Sequence, residues 1–69
     1  MAYGELDPQT REIAERVLTR KQLDVFKLWC AGYGTARIAV ILDVAEPTAR
    51  GHLRRAIQKI EVEKRRVAA

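Results

Sequence analysis

Residues 18–60 read LTRKQLDVFKLWCAGYGTARIAVILDVAEPTARGHLRRAIQKI, and the local signals in this stretch decide the fold. Thr19 is an N-cap with Gln22 three residues later to close a capping box, and Leu18 faces Leu23 as a hydrophobic staple. A helix is therefore expected to start at Thr19. Val25, Leu28 and Trp29 then recur at helical spacing, and Gly32 and Gly34 around Tyr33 offer the positive-φ conformations that end a helix near Ala31. From Thr35 to Leu42 the residues Ile38, Ala39, Ile41 and Leu42 make most of the surface apolar, which predicts a short helix sandwiched between two others, capped by Gly34 or Thr35.

Asp43-Val44-Ala45-Glu46 is a short connection, and Pro47 falls in the first turn of the next helix, where its missing N–H costs nothing. That helix is expected to begin near Ala45 or Glu46. Ala49, Leu53, Ala56, Ile57 and Ile60 lie at i, i+4, i+7, i+8 and i+11, one continuous core stripe. The opposite side carries Glu46, Arg50, Gly51, Arg54, Arg55 and Gln58. Long donors on a helix whose apolar face is docked suit entry into a DNA major groove. The layout is that of a helix-turn-helix, and the fold expected is all-α: a trihelical core with an extra N-terminal helix and an extended C-terminal recognition helix.

The charge distribution agrees. Residues 1–44 hold six basic side chains (Arg11, Arg16, Arg20, Lys21, Lys27, Arg37) and six acidic ones (Glu5, Asp7, Glu12, Glu15, Asp24, Asp43). The whole +4 excess sits in residues 45–69, where Arg50, Arg54, Arg55, Lys59, Lys64, Arg65 and Arg66 outnumber Glu46, Glu61 and Glu63. An excess that begins on the proposed recognition helix is the footprint of a polyanionic partner.

These residues resemble the LuxR/GerE-type DNA-binding domain. Leu18-Thr19-x-Lys21-Gln22-x-x-Val25-Phe26-x-Leu28-x-x-x-Gly32 is similar to that family's opening L-T-x-R-E-x-x-V-L-x-L-x-A-x-G. Ile38-Ala39-x-x-Leu42-x-Val44 follows I-A-x-x-L-x-I, Thr48-Ala49-Arg50-Gly51-His52-Leu53 follows T-V-K-x-H-L, and Lys59-Ile60 follows the closing K-L. The sequence departs from the pattern at several places. Ala45 replaces the usual Ser before the recognition helix, removing a cap worth about 1 kcal/mol. Arg37 stands for a Glu, and Lys21-Gln22 for Arg-Glu. The family's fourth helix follows a glycine-containing turn and commonly dimerises, whereas Ile60 to Arg66 contains neither Gly nor Pro. The third core helix is accordingly expected to continue to about Lys64. A second likeness, in Arg54-Arg55-Ala56-Ile57-x-Lys59-Ile60, is to the fourth region of sigma factors, which reads promoter DNA and touches RNA polymerase.

Carried over position by position, the LuxR-like resemblance implies that Arg50, Gly51 and Arg54 read base edges and that Thr48 and His52 contact phosphates. Position and charge add Thr35, Arg37, Arg55 and Lys59 as phosphate candidates. Two arginines one turn apart each suit guanine O6 and N7. Gly51 admits the backbone close to the bases or is simply a tolerated helix glycine.

His52 is the only histidine and Cys30 the only cysteine, so no metal cluster, catalytic dyad or disulfide framework can be assembled, and neither enzymatic activity nor a cofactor is expected. Cys30 is expected to pack as a small apolar residue. Phe26 and Trp29 are expected in the core, and Tyr33 is expected to cap it. No apolar run has the length of a signal peptide or membrane span, so a cytoplasmic protein is expected, and the Met1 start suggests a complete one.

Ahead of the core, Asp7-Pro8 is an N-cap followed by Pro at the first helical position, and Ile13, Val17 and Leu18 form a narrow stripe. A helix from about Pro8 to Val17 follows, either bracing the core or forming a dimer contact, with Arg11 and Arg16 as solvated charges. Three functions fit this reading. The first is a small transcriptional regulator of a bacterium or its phage, binding double-stranded DNA as a homodimer. The others are a sigma-like module docking on RNA polymerase and an oligomerising DNA-recognition adaptor of a phage packaging complex.

Overall fold

The computed structural model describes residues 2–69. A single 3-10 turn, Tyr3–Glu5, precedes four helices: α1 (Pro8–Val17), α2 (Arg20–Cys30), α3 (Thr35–Leu42) and α4 (Glu46–Ala68). Each boundary has a local cause. The Asp7 carboxylate accepts from Thr10 N at 3.0 Å and from the Thr10 hydroxyl at 2.6 Å, with Pro8 next in line. At α2 the capping box is complete: Gln22 N donates to Thr19 Oγ1 at 3.2 Å, and Thr19 N donates to Gln22 Oε1 at 3.1 Å. Leu18 and Leu23 both pack against the same core cluster.

Helices α2 and α3 both end in Schellman turns, in which an αL residue lets its own N–H and that of the following residue bond back to otherwise orphaned carbonyls. After α2 the αL residue is Gly32 (φ 104°), with Gly32 N on Trp29 O at 3.0 Å and Tyr33 N on Leu28 O at 3.2 Å. Gly34, expected to share that conformation, instead has φ −76° and is the N-cap of α3. One αL residue is enough to reverse the chain. After α3 the αL residue is Asp43 (φ 56°), with Asp43 N on Val40 O at 3.3 Å and Val44 N on Ala39 O at 3.0 Å. A non-glycine residue in that well carries a steric cost of roughly 1–2 kcal/mol, eased for Asp. Asp43→Gly is therefore expected to stabilise the domain by about 0.5–1 kcal/mol, read as a rise in the urea midpoint with an unchanged slope.

Helix α4 is the axis of the molecule. Its stripe Ala49, Leu53, Ala56 and Ile60 is buried along its length, with both Ala49 and Ala56 fully enclosed. Small side chains there let α1, α2 and α3 approach closely. One cluster joins Ile13, Ala14, Phe26, Cys30, Ala56 and Ile60; a second joins Val25, Ile38, Ala39, Ala49 and Leu53. Helix α2 serves both, and α1 spends its apolar face on α4 and α2, so it braces the core. Cys30 packs as expected.

Three expectations are corrected. Trp29, expected in the core, is 45% exposed. Trp29 rests at the rim beside Phe26, ring centroids 6.5 Å apart, because an indole is too large to be enclosed at the end of so small a core. In α3, Val40 is 77% exposed and Ile41 46%, since the helix packs on α4 and α2 along one side only, through Ile38 and Ala39. Finally, α4 runs to Ala68 rather than about Lys64.

The C-terminal part of α4 has a partner in α1. Glu63 is buried, and its carboxylate takes Arg16 Nη1 at 2.9 Å and Arg66 Nη2 at 2.6 Å, while Arg16 Nε also reaches Glu12 at 3.2 Å. Arg16 is thus no ordinary solvated charge but a tie between α1 and α4. The hydrogen bonds from Arg66 and Arg16 hold the Glu63 carboxyl at about 2, against an ordinary 4.5. Since the unfolded chain takes up that proton more readily, the stabilisation is complete above pH 4.5 and lost as pH falls towards 2. Glu63→Gln is expected to lower the melting temperature at neutral pH and to flatten its fall over that acid range. The slope that remains comes in part from Asp7, which the Thr10 hydrogen bonds also depress.

At the N-terminus Tyr3 lies edge-on to Phe26, donates to Glu15 at 3.0 Å and sits under the Lys27 ammonium at 5.1 Å. Partial burial and the Glu15 carboxylate raise its hydroxyl to about 12. This turn closes one end of the core.

Candidate nucleic-acid interface

Helices α3 and α4, joined by Asp43-Val44-Ala45, form the two arms of a helix-turn-helix. Neither first turn has a side-chain cap: Gly34 and Ala45 precede them without a cap hydrogen bond. Because Ala49, Leu53 and Ala56 are turned inward, the residues between them other than His52 are turned out. Arg50, Arg54 and Arg55 are exposed, Gly51 is half-buried, and Thr48 lies exposed in the first turn. Thr35 is the first residue of α3, half-buried, with Arg37 exposed two residues on.

The cations are not equivalent. Arg50 is paired with Glu46, Nη2 to Oε1 at 3.2 Å. Arg16, Arg20 and Arg66 are committed to carboxylates elsewhere. Among the described residues no ion pair engages Arg37, Arg54 or Arg55, so these guanidiniums are available to an incoming anion. Lys59 has a different commitment: its ammonium donates to Gln22 Oε1 at 2.9 Å, the same oxygen that accepts from Thr19 N. It pins α4 to the start of α2, and a phosphate must compete with that carboxamide.

A Cβ at position 51 would meet only the Arg55 guanidinium, at 3.8 Å, an ordinary contact. Nothing inside the folded chain therefore requires glycine there. Any requirement comes from what the helix approaches. His52 turns towards a hollow of about 200 Å³ between α2 and α4, lined also by Lys21, Asp24, Val25, Leu42 and Val44, and its Nδ1 is buried without a hydrogen-bond partner.

The base-edge set Arg50, Gly51 and Arg54 thus shares the outer side of α4 with Thr48 and Arg55, and Thr35 and Arg37 stand at the start of α3. Lys59 lies nine positions from Arg50, roughly 14 Å along the helix. Two participants escaped the sequence reading. Glu46 was placed on this face without a role, although its Glu-x-x-x-Arg spacing to Arg50 signals a helical ion pair. Gln22 was assigned only to the cap, and nothing local reveals its link to Lys59, 37 residues away.

Among the described residues no group of three or more His, Cys, Asp or Glu is placed to hold a metal ion. None of the helices is long and apolar enough to cross a membrane.

A short helix, a tight turn and a second helix with an outward basic face define a helix-turn-helix DNA-binding module. The family described as "Bacterial regulatory proteins, luxR family" matches residues 16–69. The chain belongs to that family and is a DNA-binding regulatory domain. The match covers α2, α3 and α4 and takes in only the last two residues of α1, so most of the brace lies outside it. No curated protein and no solved structure gives a significant match to the chain.

Proposed function

We propose that the protein is a sequence-specific transcriptional regulator that lays α4 in the major groove. Arg50 and Arg54 read base edges, and Gly51 lets the helix backbone approach them. Thr35, Arg37, Thr48, His52, Arg55 and Lys59 hold the flanking phosphates, which fix register without carrying sequence information. The observation that supports this reading best is the pairing pattern on α4: its inner stripe is wholly committed to the core while Arg54 and Arg55 face outward with no ionic partner among the described residues. One such module covers only about 600–1,000 Å² of interface. Tight binding then calls for a second copy, and a homodimer on a two-fold site with half-sites near one helical turn apart is the natural arrangement.

Selection of bound duplexes from a random pool, with light scattering on the free protein and its complex, tests this. Enrichment of a two-fold symmetric site by a dimer is the expected result. A monomer that binds DNA weakly until RNA polymerase is added would point instead to a sigma-like module. A ring-forming assembly with salt-dependent binding and no enriched sequence would point to a packaging adaptor.

A further inference from the structure

The two candidate base readers differ in one respect that bears on specificity. Arg54 has no ionic partner among the described residues, whereas Arg50 is bound to Glu46, the first residue of α4 and one turn nearer its N-terminus. Their side chains are 61% and 43% exposed, and a pair so open to water adds little to stability. Its consequence lies in geometry: a guanidinium otherwise free to sweep over many rotamers is drawn along the helix towards Glu46. In a helix-turn-helix the N-terminal residues of the recognition helix are the ones that meet base edges.

We propose that Glu46 is a specificity-determining residue that acts by positioning the Arg50 guanidinium. The inference rests on α4 being the groove helix. A first-turn carboxylate also complements the helix dipole, but that role affects every DNA sequence alike, so base preference separates the two.

The experiment measures affinities of the full chain for its selected site, for every single base-pair variant of that site and for an unrelated duplex, at one salt concentration. Glu46→Gln, Arg50→Ala and the double variant are compared with the parent, and circular dichroism reports helix content. Glu46→Gln is expected to bind the unrelated duplex more tightly, since one repelling charge is gone. It is also expected to lose about two- to tenfold of discrimination, the size of a contact-pair coupling, at the base pair where Arg50→Ala abolishes it. In the Arg50→Ala background the same change is expected to take away no further discrimination. Glu46→Asp keeps the charge and shortens the reach, and is expected to lose discrimination while leaving unrelated-duplex affinity unchanged.

A uniform gain at all base pairs would overturn the proposal and leave Glu46 as a plain repelling charge. So would a loss of discrimination that persists without Arg50. A parent protein with no base preference at all would remove the groove reading itself, and the proposal with it.

Discussion

Ile13→Ala is expected to cost about 2–5 kcal/mol and to lower the melting temperature by about 10 °C or more. Ile13 is 1% exposed, one of the three largest fully buried side chains, and it packs with Phe26, Cys30, Ala56 and Ile60 from α2 and α4. Truncation leaves a cavity that α1 cannot close, because the adjoining Ala14 is already in full contact. A chain of this length has roughly 3–10 kcal/mol of total stability, so the loss takes a large share of it. The variant also asks whether α1, most of which precedes the family match, belongs to the cooperative unit. Were it a loosely appended arm, its helix would fray while the rest of the domain melted at the parent temperature. Val40→Ala serves as the control: at 77% exposure it is expected to stay within about 0.5 kcal/mol of the parent.

What could be read in the sequence follows the range of the interaction responsible. The Asp7 and Thr19 caps, the Gly32 turn and the Pro47 start each depend on residues within one turn of one another, and all four are present in the folded chain. The inner stripe of α4 was equally legible, since periodicity over three turns leaves one docking face. Failures occur where a boundary depends on distant neighbours. The C-terminal part of α4 is tied to α1 by Glu63 against Arg16, 47 positions earlier in the chain, and no local pattern predicts that meeting. Trp29 has core composition but stands where the packed layers end. Val40 and Ile41 fit an enclosed helix, yet α3 has neighbours on one side only. The same division applies to the interface. Which residues face outward on α4 follows from its stripe, whereas which cations are free requires knowing every carboxylate that the fold brings near them.

Arg54→Ala is expected to weaken binding to the selected site by about 1–3 kcal/mol, roughly 5- to 150-fold. Its effect on a random duplex is expected to be much smaller. The guanidinium is exposed, has no ionic partner among the described residues and lies one turn beyond Arg50, so its removal should leave the stability within about 0.5 kcal/mol of the parent. The salt dependence identifies the contact. A bidentate grip on a guanine takes away specificity, whereas a phosphate contact contributes about 0.9 to the slope of log affinity against log salt and is lost from all sequences equally. Equal losses on cognate and random DNA with a flatter slope would make Arg54 a backbone contact and pass base reading to Arg50. Lys59→Ala supplies the opposite signature, a uniform loss and a flatter slope, but it also breaks the Gln22 link that pins α4 to α2. Its affinity must therefore be measured where circular dichroism shows the variant fully folded. Arg54 carries no such structural duty, so a change in its binding reports on DNA contact alone.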